Sequence, residues 1–264
     1  MRELPILTTE LTLQLERCVG PSEPGIDAHG SEVVRFGKTI ASKKRGPWPP
    51  SSIFRFNSDD VGRLDEILGF FGDIDPLFFL VHGGYKPAVG QTLHAAGYYL
   101  HDWRQTILYG LPAPEPAPLP ANVTIEEVTK DTIDVAAETT AEGNEWPALW
   151  REAAKAGVHR SIGRPHLQIF LARYKGQPAG VGSLSKCGAA DNWCTLHDAA
   201  VVPRFRGRGI HTALLSHRLH IAINAGYALA ISGANFGSTS FRNQQRAGLR
   251  LGYVEATWRK HKPA

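Results

Sequence analysis

The chain has 264 residues, 42% of them hydrophobic and 20% charged, with 27 Gly and 18 Pro; this ordinary globular composition excludes wholesale disorder, collagen and coiled coil. At about 150 residues per domain, one large domain or two small ones are both open. A formal net charge of +4 suits an anionic small ligand as well as a nucleic acid and does not separate the two.

Residues 1–18 carry acidic residues and Arg where a signal peptide needs an uninterrupted apolar stretch. No apolar run along the chain approaches the roughly 18 residues of a membrane span. The expectation is a cytoplasmic protein without a membrane partner. Residues 32–40 and 52–56 read as strands, and Ser58 offers an N-cap to a helix with Val61, Leu64, Leu68 and Phe71 on one face and Gly72 as its stop. Residues 76–81, PLFFLV, form a short apolar run typical of a buried strand, followed by a helix over 88–96 and a strand over 98–109. Residues 111–122, LPAPEPAPLPAN, alternate proline with small residues or Glu. That pattern forbids helix and favours polyproline II, so the segment reads as a semi-rigid spacer of up to roughly 35 Å. The chain divides there, into residues 1–110, a linker over 111–122, and residues 123–264.

Past the linker, residues 123–128 start a strand, and 131–142 and 146–156 read as helices. Strands over 167–174 and 179–185 turn at Lys175-Gly176-Gln177-Pro178, and a third runs over 193–202. Ile210, Ala213, Leu214, His217 and Ile221 then share one face of a helix that Gly226 ends. A strand over 228–232, a helix over 240–250 and a strand over 253–258 complete the half. The expected class is α/β throughout. The two halves end alike, with GYxxxxWR at residues 97–104 and again at 252–259, which raises internal duplication. Three cysteines, Cys18, Cys187 and Cys194, cannot make a disulfide framework. Cys187, Cys194 and His197 would give a metal three ligands without a fourth, so no metal site is expected.

The chemistry concentrates in Val201-Val202-Pro203-Arg204-Phe205-Arg206-Gly207-Arg208-Gly209, between a strand and an amphipathic helix. There the first helical N–H groups lack acceptors, the helix dipole is positive, and glycines let a phosphate approach the backbone. Arg204, Arg206 and Arg208 would add charge for a diphosphate. An RNA-binding arginine-glycine segment is low-complexity and repeated, whereas this run is a single copy inside regular structure, so no nucleic-acid partner is expected. Its spacing does not satisfy a GxGxxG dinucleotide loop.

Arg204-x-x-Gly207-x-Gly209, preceded by Val-x-Pro, resembles the R/Q-x-x-G-x-G/A acyl-CoA signature of the GNAT N-acetyltransferase superfamily. The surrounding strand and helix order over about residues 123–260 is similar as well. The resemblance implies a GNAT fold for the C-terminal half, a mixed, mostly antiparallel sheet flanked by helices. The smaller α/β N-terminal half would be a shrunken copy unable to bind CoA. It also implies acetyl-CoA as cosubstrate, with backbone groups of Val201 and Val202 on the pantetheine and the loop Arg204, Phe205, Arg206, Gly207, Arg208 and Gly209 on the diphosphate. Ser240 and Asn243, on the family's last helix, would add polar contacts. The family's usual Tyr acid is missing: its position falls on Gln244 if Gly248-Leu249 is the closing pair, or on Gly248 if Gly252-Tyr253 is. Tyr253 is the nearest phenol, with packing as its alternative role. For the base the central strand offers His197 and Asp198, adjacent and hence expected on opposite faces. Glu145, Trp146 and Trp150 fall where the family covers its acceptor pocket. The reading is an N-acetyltransferase acting by direct attack of an amine, a small molecule rather than a protein. The alternative is an acyl-CoA sensor with a silent domain. Oligomeric state is not legible.

Overall fold

The computed structural model describes residues 11, 14–15, 24–26, 30–44, 50–81, 86–110, 118–162, 167–187 and 192–261. The chain forms two compact units, one of residues 7–106 with 251–264, the other of residues 1–6 with 107–250.

The first unit holds strands β1 (Gly25–Ile26), β2 (Glu32–Phe36), β3 (Thr39–Lys43) and β4 (Ser52–Phe54), helix α1 (Leu64–Phe71), strand β5 (Leu77–Val81), helix α2 (Pro87–Ala95) and most of β6 (Tyr98–Gly110). The run over 32–40, expected as one strand, is a hairpin. Gly37 takes a left-handed φ of 63° and folds β3 back on β2 with Phe36 opposite Thr39. Helix α1 starts later than its apolar spacing predicts, after a 3-10 turn at Val61–Arg63. It buries Leu64, Ile67 and Phe71 against Ile53, Phe78 and Tyr98, which puts an all-apolar core under the sheet. Asp60 is buried at the junction before that turn. Its Oδ2 accepts the Lys38 and Thr39 N–H groups at 3.2 and 3.1 Å, the Thr39 hydroxyl at 2.7 Å and the Asn57 amide at 2.9 Å.

The second unit holds β7 (Val123–Glu127), α3 (Ile133–Gly143), α4 (Ala148–Ser161), β8 (Leu167–Tyr174), β9 (Gln177–Cys187), β10 (Trp193–Val201), α5 (Ile210–Asn224), β11 (Leu229–Asn235) and α6 (Thr239–Arg246). The strands run β7-β8-β9-β10-β11, antiparallel up to β10 and parallel between β10 and β11. Strand alternation divides the core. Leu171, Val181 and Ala200 face α3 and its Ile133 and Ala136, whereas Leu184, Leu196 and Ala230 pack with Leu214 of α5 and Phe241 of α6.

The last strand, β12 (Arg250–Lys260), was expected with the C-terminal half. It pairs instead antiparallel with β5, Glu255 opposite Val81, and residues 251–264 belong to the first unit. The physical reason is β5 itself, an apolar strand paired with β4 on one side that needs a partner on the other. Both GYxxxxWR tyrosines, Tyr98 and Tyr253, are buried in strands of that unit. Of the proline-rich segment, residues 111–117 lie outside the described residues; Pro120 accepts the Val123 N–H at 3.0 Å. Among the described residues no helix is long and apolar enough to cross a membrane.

Candidate functional site

Strand β10 runs into a 3-10 turn at Pro203–Phe205, and the loop Arg206–Gly209 then delivers the chain into α5. Two left-handed glycines make this sharp passage possible, Gly207 at φ 77° and Gly209 at φ 76°. Gly209 is the N-cap and offers no side-chain acceptor, so the first N–H groups of α5 are left for another partner. Helix α6 differs, because its N-cap Ser238 accepts the Phe241 N–H at 3.1 Å.

The loop opens on a cavity of about 780 Å³. Its walls are the end of α3, residues 199–201 of β10, the loop, the first turn of α5 and the start of α6. Of the expected ligand-binding residues, Val201, Phe205, Arg206, Gly207, Gly209, Ser240 and Asn243 line it. A Cβ placed on Gly207 would meet nothing within 4 Å, so the loop presents bare backbone to open space. Val202, Arg204 and Arg208 are not in the lining. Val202 is in the apolar core, and its N–H donates to the Ala179 carbonyl at 3.0 Å. The arginines are less free than the sequence implies. Arg204 pairs with Glu142 at the end of α3. Arg206 pairs with Glu145 at 2.7 Å and donates to the Gly143 and Val201 carbonyls. The Arg208 guanidinium lies 5.0 Å from the Tyr174 ring centre.

Upstream on β10, His197 and Asp198 are not on opposite faces as adjacent strand residues should be. The ladder to β9 slips between His197 and Ala200, and Asp198 takes a left-handed φ of 51°. This bulge swings the carboxylate onto its neighbour, Asp198 Oδ2 lying 2.8 Å from His197 Nδ1. The other ring nitrogen, Nε2, lies 3.1 Å from Ser185 Oγ on β9. The His197 side chain is 33% exposed and that of Asp198 69%, so solvent and ligands reach both.

Beneath the bulge lies Arg218 of α5, 2% exposed. It donates to the carbonyls of Leu214 at 3.1 Å, Ser183 at 2.9 Å and His197 at 3.2 Å. Burial lowers its pKa to about 10, against the pull of Asp198, so it stays cationic at neutral pH. Gly182 makes room for it, since a Cβ there would sit 2.9 Å from the guanidinium carbon. Neither residue stood out in the sequence, where Arg218 is one polar residue on an amphipathic helix.

His211, in the first turn of α5, lines the cavity and lies 3.3 Å from both Ser240 Oγ and Asn243 Nδ2. Burial, with the Arg218 charge second, lowers its pKa to about 4, so it is neutral at neutral pH. Gln244 is buried and donates to Gly233 O at 3.3 Å and Ser240 Oγ at 3.2 Å. Tyr253 lies in β12, in the other unit, and is not in the lining. Trp146 and Trp150, half-buried, flank the turn from α3 to α4. Burial pushes the Cys194 thiol up to about 12. Among the described residues no cluster of His, Cys, Asp or Glu could hold a metal.

Residues 133–244 match the acetyltransferase (GNAT) family. No curated protein matches the chain, but solved structures do. A GCN5-related N-acetyltransferase from Kribbella flavida is 16% identical with a TM-score of 0.70, over 97% of this chain and 96% of that one. Another from Sphaerobacter thermophilus is 17% identical with a TM-score of 0.66, over 84% and 76%. A tandem GNAT protein from the clavulanic acid biosynthesis pathway is 15% identical with a TM-score of 0.62, over 97% and 96%. At these identities the likeness is one of fold, and in the first and third cases it spans nearly the whole chain. With the glycine loop and the bulged strand falling inside the matched stretch, residues 133–244 form a domain of the GNAT acetyltransferase family.

Proposed function

We propose that this protein transfers the acetyl group of acetyl-CoA to the amine of a small molecule by direct attack. The observation that carries the reading is the junction at residues 206–209, where left-handed glycines and uncapped helical N–H groups face a cavity open enough for a phosphorylated ligand. Acetyl-CoA would supply an activated thioester, whose thiolate is a better leaving group than the attacking amine. The loop backbone and Arg206 would hold the diphosphate, and Ser240 and Asn243 would bound the arm from α6. Residues 199–201 of β10 line this cavity and His197 precedes them on the same strand, so its ring would accept the amine proton while Asp198 held the far nitrogen. The exposed Asp198 carboxylate also favours a cationic amine. Among the described residues no phenol lines the cavity, so no protein acid is assigned to the thiolate. The first unit, with a carboxylate at its own strand-to-helix junction, would be a degenerate copy that binds no CoA.

A silent acyl-CoA sensor is the second reading, favoured by the missing Tyr, since either register of the last motif puts Gln244 or Gly248 where the family commonly has it. Thiol release from acetyl-CoA with primary amines separates the two, because a sensor binds without releasing thiol. Calorimetry on Gly207→Glu tests the site. It should lose acetyl-CoA binding by about 10²-fold with the fold kept, as a carboxylate would occupy the diphosphate position at roughly 3 kcal/mol. Unchanged affinity would refute the assignment.

A further inference from the structure

The His197 ring has two partners, and they define what an incoming amine meets. Ionised Asp198 can only accept, so the 2.8 Å contact places the ring proton on Nδ1. Nε2 is then the acceptor of the neutral ring, and the group beside it at 3.1 Å is the hydroxyl of Ser185. The Ser185 O–H therefore donates to Nε2 and keeps both oxygen lone pairs for another donor. Ser185 is half-buried on β9, opposite Thr195 of β10 and Leu167 of β8. The groups facing His197 are Asp198 from its own strand, Ser185 from β9 and the Arg218 guanidinium from α5, which binds the His197 carbonyl rather than its ring.

Resting on the reading of His197 as the base, we infer that Ser185 is a further catalytic residue, the hydroxyl through which the acceptor amine passes its proton to His197. The amine N–H donates to Ser185 Oγ. As the nitrogen of the neutral amine bonds to the thioester carbon, the carbonyl pair moves onto oxygen, the nitrogen's proton moves to Oγ and the Oγ proton moves to Nε2; collapse of that adduct restores the carbonyl, breaks the C–S bond and releases CoA as a thiolate that takes its proton from solvent. The serine is left unchanged, and the imidazolium is held by Asp198. One proton leaves the nitrogen and one arrives on the ring, which later returns it to solvent. No bond forms between Ser185 and carbon. The three side chains match the order of a nucleophilic triad, but Ser185 lies inside a strand laddered on both sides, where no free pair of N–H groups converges to hold an oxyanion.

The test uses the full chain, with thiol release from acetyl-CoA and spermidine or L-lysine as acceptor, and acetyl-CoA affinity by calorimetry. Ser185→Ala should lower kcat roughly 10²-fold, Ser185→Thr should restore it to within a few-fold, and acetyl-CoA affinity should hold in both. An active Ser185→Ala beside an inactive His197→Asn would overturn the role of Ser185 and leave the base intact. Activity in both variants would remove the base reading itself. Loss of acetyl-CoA binding in Ser185→Ala would show a structural role, and an acetyl mass trapped on Ser185 would show a nucleophile; either overturns the relay. Nitrogen NMR of the His197 ring needs no acceptor. It should show the Nδ1–H form with Nε2 shifting on Ser185→Ala, and an Nε2–H ring would overturn the proposal.

Discussion

Each unit has a junction where the chain leaves a strand and turns into a helix, and the two are built oppositely. In the first, Asp60 is buried and its carboxylate is surrounded by N–H and O–H groups of Lys38, Thr39 and Asn57. Gly37 is held against it so closely that a Cβ there would lie 2.3 Å from Asp60 Oδ1. In the second, the corresponding place has Gly207 and Gly209, no side-chain cap and a cavity. An anion belongs at both; one junction carries its own, the other leaves room for a ligand's. A backbone that attracts anions thus becomes a binding site or a structural knot according to whether a carboxylate of the same chain already occupies it.

Removing the internal anion tests this contrast most severely. Asp60→Ala removes the acceptor of four donors, the two on Thr39 buried, and urea unfolding should show a loss of about 3 kcal/mol. Acetyl-CoA affinity should not change, and a coupled loss would break the contrast.

Of intermediate size is the effect of pH on the second unit. His211 has a depressed pKa in the folded state, about 4, so folding favours its neutral form. That contribution is complete above the unfolded value near 6.5 and is lost as pH falls from there through about 4. Because the ring is only partly buried, we expect about 2 kcal/mol. Denaturation curves at pH 7 and pH 4.5 should diverge less in His211→Asn than in the parent chain.

The smallest effect concerns carboxylates that stand near the ligand junction without filling it. Glu142 pairs with Arg204 across half-exposed side chains, 37% and 54%, a contact worth under about 1 kcal/mol. Glu142→Gln should free the arginine and tighten acetyl-CoA about threefold by calorimetry, more at low salt. Weaker binding would mean that Glu142 orients Arg204 rather than competing for it.

Legibility followed range of interaction. Strands β8 and β10, the loop at 204–209 and the helix after it show in periodicity and in glycine spacing, because each depends on neighbours in sequence. The pairing of β12 with β5 does not show, since neither the apolar run of β5 nor the mixed sequence of β12 names its partner. The His197–Asp198 contact was hidden by the rule that adjacent strand residues diverge, which a bulge cancels; Asp198 as a left-handed residue leaves no mark in the sequence. Arg218 and Gly182 are legible only as a pair in space, one large and one absent side chain sharing a volume.

The pairing of β12 with β5 also sets a timetable. Synthesis delivers β5 before residues 133–244 and β12 after them, so the first unit's sheet cannot close until that whole stretch has left the ribosome. Residues 133–244 are made in between and can reach their own strand order while β5 waits with an open apolar edge, the kind of edge that recruits other chains. The slow step in making this protein is therefore expected to be the long-range docking of β12 on β5. Ending the chain at residue 249 would leave the GNAT stretch complete and expose the other unit to aggregation.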